Sequence, residues 1–229
     1  MIYLKILQQL SQGKLLTSQE LELLLKQELA NPYQAEAFNI TPKNGLEKIS
    51  LRSQLFQDVY SKVKDLCHVL KFQDAQQILN NLWKLWLPLA IQLIEEKHQQ
   101  KRPLIQGILG GQGTGKTTLS TIVCLILEDL DYLTISISID DLYKTYQERQ
   151  QLKAIDPRLI WRGPPGTHDI NLGIEVLDKL KNIDSNQPIL IPRFDKSLEN
   201  GEGDRIQPGL INRADIVLFE GWFVAGVGT

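Results

Sequence analysis

Residues 104–118 read LIQGILGGQGTGKTT. The first six are an apolar run that ends in glycines. Gly110 to Thr117 then spell G-x-x-x-x-G-K-T, and Leu119, Ile122, Val123, Ile126 and Leu130 recur at helical spacing. Strand, glycine loop and helix in that order are what a phosphate-binding loop needs. The glycines let the backbone wrap with its N–H groups turned inward, and the helix brings its positive dipole end to the anion. We read Gly110, Gly111, Gln112, Gly113, Thr114, Gly115, Lys116, Thr117 and Thr118 as nucleotide-binding residues. Lys116 reaches the β- and γ-phosphates, and the Thr117 hydroxyl binds Mg²⁺. A glycine-rich turn that merely joins strand to helix is the competing reading.

Downstream, Leu133, Ile135, Ile137 and Ile139 alternate with Thr134, Ser136 and Ser138, which predicts a strand with one small polar face, near a sheet edge. A helix is expected from about Thr167 to Lys181, and a short strand over Ile189–Ile191. Ala214 to Phe219 is a nearly continuous apolar strand, as a central parallel strand should be. Strands alternating with helices predict a parallel α/β sheet.

Upstream, the first hundred residues are expected to be helical. Thr17 and Glu20 fit a capping box ahead of Leu21, Leu24, Leu25 and Leu29. Residues 30–50 carry Pro32, Pro42 and Asn44-Gly45 and read as a loop. A second helix carries Leu51, Leu55, Val59, Leu66 and Leu70. A third runs from Ile78 to Leu93 and should kink or split at Pro88. Trp83 and Trp86 read as packing residues. The expected organisation is a helical region over 1–100 packing on a core over 101–229.

Four polar segments remain. Asp140 and Asp141 follow the second strand, where open α/β sheets bind ligands. One can accept a proton from an attacking hydroxyl, and the other can hold magnesium through water; a cap or solvated turn is the plainer alternative. Glu220 closes the apolar strand and suits a magnesium-associated acid. Trp161 to Asp169 is turn-rich: Arg162 is a natural fork for an anion, and His168 and Asp169 open a helix, where a local cap is the alternative for His168. Pro192 to Ser197 with Gly203 to Arg205 reads as a polar, flexible block, either a segment closing over an acidic substrate or a solvated loop.

The 229 residues carry 25 basic and 27 acidic side chains, a net charge of -2 that gives no whole-chain pull toward nucleic acid. No stretch is long and apolar enough to predict a membrane span, and no targeting segment is visible. Cys67 and Cys124 fit no metal or redox spacing and read as buried thiols in a reducing, cytoplasmic setting.

Taken together, the motifs resemble the plant and cyanobacterial type of D-glycerate 3-kinase, among the P-loop kinases related to uridine kinase, phosphoribulokinase and bacterial pantothenate kinase. The resemblance runs from about residue 104 to the end, and RGPPGTHD (162–169) and PRFDKS (192–197) make it specific. It implies a P-loop NTPase-type three-layer parallel sheet ordered 2-3-1-4-5. It also implies Mg²⁺ and ATP as cofactors, and conversion of D-glycerate to 3-phosphoglycerate as in photorespiratory carbon salvage. Lys116, Asp140 and Asp141 would be catalytic, with Asp140 the base; Thr117 and Glu220 would serve the metal. Arg162, His168, Asp169 and Arg193 would meet the substrate. Members of that family continue past their Glu-Gly-Trp motif, whereas this chain stops at Thr229. The expectation is a chain lacking further strands, a lid and adenine contacts, with the first strand short of one neighbour. A complementing C-terminal chain is a possible partner. A sister kinase and a non-catalytic nucleotide-binding module are the alternatives.

Overall fold

The computed structural model describes residues 2–159, 162–164, 166–182, 187–222 and 224. Trp161 and Pro165 of the turn-rich segment lie outside the described residues. The chain divides into two compact units, residues 1–96 with 121–131, and residues 97–120 with 132–229.

The first unit is helical. Its helices are α1 (Ile2–Leu10), α2 (Ser18–Leu29), α3 (Pro32–Ala37), α4 (Gly45–Val69), α5 (Ala75–Asn81) and α6 (Leu87–His98). Thr17 and Glu20 do form the capping box on α2. The loop expected over residues 30–50 is instead partly helical. Asn31 caps α3 and Pro32 opens it, since proline at the first helical position loses no needed hydrogen bond. Glycine at 45 then starts α4. The break near Pro88 is real, and its form is a π-helical turn over Leu82–Trp86. The Leu87 N–H bonds back to the Leu82 carbonyl. Pro88 cannot donate to the Lys84 carbonyl one turn earlier, and the Gln34 side-chain amide donates to it instead at 2.9 Å. Trp83, Trp86 and Phe56 are buried in this core, as packing residues should be. Inside it lies an ion pair, Arg52 to Glu28 at 2.9 Å, with the Trp83 indole N–H on the same Glu28 oxygen. Cys67 is buried and its thiol pushed up by that burial; Cys124 is only half-buried.

The second unit is α/β. It holds β1 (Leu104–Leu109), β2 (Thr134–Ser138), a 3₁₀ turn (Ile139–Leu142), α8 (Tyr146–Ile155), α9 (Ile170–Lys181), β3 (Ile189–Asp195), β4 (Asp204–Ile211) and β5 (Ile216–Gly221). Helix α7 (Lys116–Asp129) starts from the glycine loop. The parallel sheet is ordered β1-β5-β2. The apolar strand is therefore interior, with Ile216, Val217 and Leu218 fully buried, and the Thr134 strand lies at an edge. In the family's numbering of parallel strands this is the 2-3-1 part of the expected order.

The Ile189 strand does not join that sheet. It is longer than expected and pairs antiparallel with β4, making a hairpin over much of the segment read as a flexible polar loop. The reason is two-sided. Ile189 and Ile191 reach a core shared with Val176, Leu180, Ile137 and Val217. The remaining strand residues satisfy their backbone in β4, while Leu190 and Leu210 stay exposed. Proline and charge in the run masked this pairing. Helix α8, capped by a Thr145–Glu148 box, was not anticipated either.

Candidate active site

Parallel pairing aligns the carboxyl ends of the three strands. Leu109 lies opposite Gly221, and Ser138 lies opposite Glu220. Everything that follows β1, β2 and β5 therefore opens on one end of the sheet. The Gly110 N–H bonds to the Gly221 carbonyl at 3.2 Å, which ties the glycine loop to the end of the central strand. Gly113 (φ +73°) and Gly115 (φ +84°) take the left-handed backbone that the loop's turns require. The Thr114 hydroxyl and the Lys116 ammonium both donate to the Gly111 carbonyl, at 2.8 and 2.7 Å. Lys116 thus arches over the loop from the first residue of α7.

Thr117 Oγ1 donates to Glu220 Oε1 at 2.9 Å. Glu220 is only 4% exposed, and its second oxygen, Oε2, has no hydrogen-bond partner among the described residues. A buried carboxylate oxygen left bare is costly unless a cation or its water completes it. Thr117 and Glu220 are a donor set that suits Mg²⁺, which binds through few protein oxygens and keeps water and phosphate ligands. Among the described residues no cluster of three or more His, Cys, Asp or Glu is arranged to hold a metal.

The two aspartates after β2 part company. Asp140 lines a cleft of about 760 Å³ together with Lys116, Thr117 and Glu220. Its Oδ2 is 2.5 Å from the ammonium of Lys196. Asp141 is absent from that lining. Its carboxylate accepts from the Ser138 N–H (2.9 Å), the Phe194 N–H (3.2 Å) and Arg193 Nη1 (3.2 Å). Burial outweighs those bonds and raises its pKa above the ordinary aspartate value. Asp141 is thus a clasp between β2 and β3, and the paired-carboxylate expectation reduces to Asp140 and Glu220.

The anion-reading residues sort similarly. Arg193 is taken up by Asp141 and by the Ser136 carbonyl at 3.1 Å. Asp169 caps α9 through the Leu172 N–H and pairs with Arg205 at 3.0 Å. His168 is buried and stacks on Tyr143, ring centroids 4.1 Å apart, and burial lowers its pKa. Tyr143 lines the cleft; burial, with the charge of Asp140, pushes its hydroxyl up to about 12. Arg162 lies over the Phe194 ring and donates to the Gly201 carbonyl, while its buried Nη1 has no hydrogen-bond partner among the described residues. Its neighbour Gly163 lines the cleft.

Two residues of this region were missed. Lys196, and not Arg193 with its fork chemistry, lines the cleft. Strand parity gave no signal here, because the β3–β4 register shifts between Ile191 and Arg193 and Lys196 follows the end of the strand. Arg149 is the second. It is buried and donates to the carbonyls of Lys144, Glu202 and Gly203, anchoring the hairpin beside α8.

No family model matches the chain. The chain is 32% identical over 130 residues to the chloroplastic D-glycerate 3-kinase of Arabidopsis thaliana, a stretch that is 53% of this chain and 28% of that protein. It is 31% identical over 128 residues to the uridine kinase of Lactobacillus johnsonii, 56% of each protein. A solved structure of D-glycerate 3-kinase from Cryptococcus neoformans superposes with a TM-score of 0.52 and 33% identity, covering 58% of this chain and 49% of that one. The chain thus spans from about a quarter to about half of the length of these relatives. Over the aligned stretch the chain is similar to kinases named for glycerate and for uridine, and it shares the α/β fold of the solved D-glycerate 3-kinase.

Proposed function

We propose that the second unit transfers the γ-phosphoryl group of ATP to a hydroxyl of a small hydroxy acid, D-glycerate, giving 3-phosphoglycerate and ADP. One observation carries this reading. The loop lysine Lys116, the Thr117–Glu220 pair with its bare buried oxygen, and Asp140 all line one cleft at the carboxyl ends of β1, β2 and β5. The similarity to D-glycerate 3-kinases supports the choice of acceptor.

In this reading the loop amides and the α7 N-terminus bind the triphosphate, and Lys116 swings from the Gly111 carbonyl to the γ-phosphoryl oxygens, where charge builds in the transition state. Thr117 and Glu220 would hold Mg²⁺, which would neutralise phosphate charge. Asp140 accepts the proton of the attacking hydroxyl as the new P–O bond forms and the bond to ADP breaks. Arg162, with a buried nitrogen to spare, and Lys196 supply positive charge for an acidic acceptor.

The uridine kinase relative makes a nucleoside the second reading. A panel of D-glycerate, L-glycerate, uridine and pantothenate with ATP and Mg²⁺, read as acceptor-dependent ADP release, tests both. D-glycerate-dependent turnover that Lys116→Ala abolishes is the expected result. Turnover with uridine alone moves the assignment, and tight nucleotide binding with no phosphorylated product from any acceptor refutes a catalytic role.

A further inference from the structure

Lys196 follows β3 at the start of the hairpin turn, and the backbone around it is well anchored. Arg149 holds the Glu202 and Gly203 carbonyls, and Phe194 packs where a side chain at Gly203 would have to go. The Lys196 side chain itself is not anchored. It is 60% exposed, and the partner its ammonium has in the structure is Asp140 Oδ2, at 2.5 Å. The cation therefore covers an oxygen of the carboxylate best placed to receive a hydroxyl proton. An acceptor hydroxyl that is to donate to that oxygen competes with the ammonium for it. A neutral acceptor has nothing to draw the ammonium away with. An acceptor bearing a carboxylate offers a replacement partner a few ångströms off, and a lysine on a flexible stem can exchange one oxyanion for the other.

We infer that Lys196 is a specificity-determining gate: in the free protein its ammonium competes for Oδ2 of Asp140, and the carboxylate of an acidic acceptor takes the ammonium over, freeing that oxygen when the right substrate class is bound. This rests on the phosphotransferase reading above and deepens it. Lys196 would then do two separable things. It binds the acidic acceptor, and it suppresses phosphorylation of neutral polyols of the same size.

The separation makes the test unusual, because one substitution should lower one activity and raise another. D-glycerate and D-glyceramide have the same carbon skeleton and hydroxyls and differ only in replacing the carboxylate by a neutral amide. Lys196→Ala should lower kcat/KM for D-glycerate about 10- to 100-fold, the effect of losing one hydrogen bond to a charged group. It should raise kcat/KM for D-glyceramide about 3- to 5-fold, the most that unmasking a solvent-exposed ion pair allows. Lys196→Arg should keep the preference for the acid. Calorimetry provides a readout besides turnover: D-glycerate binding should weaken in Lys196→Ala, while D-glyceramide binding should hold or tighten. If D-glycerate turnover is intact in Lys196→Ala, or both acceptors lose activity equally, the gate is refuted and the kinase reading survives. If the unsubstituted protein neither binds D-glycerate nor phosphorylates it, the acceptor assignment and the gate both fall.

Discussion

Two adjacent aspartates with opposite duties make a sharp prediction. Replacing Asp141 by alanine should cost stability, and replacing Asp140 by asparagine should cost chemistry. Asp141 is 15% exposed and receives two backbone N–H groups and Arg193. Hydrogen bonds to a charged acceptor contribute about 1.5–3 kcal/mol each, so three would sum to about 6 kcal/mol. Removing the carboxylate also relieves its burial, which is the largest influence on its pKa. Arg193, 36% exposed, can be resolvated. A net loss of about 3 kcal/mol follows, or about 6–12 °C in Tm for a chain of this size. Asp140 instead pairs with a lysine that is 60% exposed, a contact worth about 0–1 kcal/mol. Asp140→Asn should melt within about 3 °C of the parent yet lose about 10²- to 10⁴-fold in turnover. Thermal unfolding by circular dichroism reads the first quantity and ADP release the second. Hydrogen exchange adds the location: Asp141→Ala should lose protection at the Ser138 and Phe194 amides. If Asp141→Ala melts normally with both amides protected, or if Asp140→Asn destabilises as much as Asp141→Ala, the assignment of roles is wrong.

Three further outcomes are expected. Gly203→Ala forces a left-handed backbone (φ +77°) and a Cβ into the Phe194 ring and 2.9 Å from the Asp195 carbonyl. It should destabilise the hairpin by about 2 kcal/mol, seen as faster proteolysis near residue 200. Glu28→Ala strands Arg52, which is 3% exposed, in the helical core; a loss of about 3–5 kcal/mol in urea unfolding is expected. His168 is held below its ordinary value of 6.5 by burial, with Asp140 opposing. Its contribution to stability is present above pH 6.5 and is lost as pH falls through the lower folded value. The midpoint of unfolding should therefore drop as pH falls below 6.5, and His168→Asn should flatten that segment of the profile while lowering stability at pH 7.5.

Much of the site is local in origin, and local origins are legible. The glycine loop works through backbone conformation and the start of the next helix, so Gly110 to Thr117 could be read as letters. The same holds for the Thr17 capping box and for the break near Pro88, where a missing N–H acts within one turn. The interior position of β5 was legible because a strand buried on both faces carries apolar residues at both parities. The hairpin was not. Its strands are half-exposed, broken by Pro192 and Pro208, and stable only because Ile189 and Ile191 find a core and Arg149 closes the far end. No short-range pattern records partners that run from Asp195–Asp204 out to Ile189–Ile211.

What the sequence determined by itself is the phosphate loop, the α/β class and the strand ends that carry acids, because period and turn chemistry act over a few residues. Only the tertiary structure decided which of those polar side chains face the cleft. Asp140 and Asp141 are neighbours of one type, and Arg193 and Lys196 are both cations. Their separation into cleft and clasp comes from where β3 meets β2, a contact between residues more than fifty positions apart.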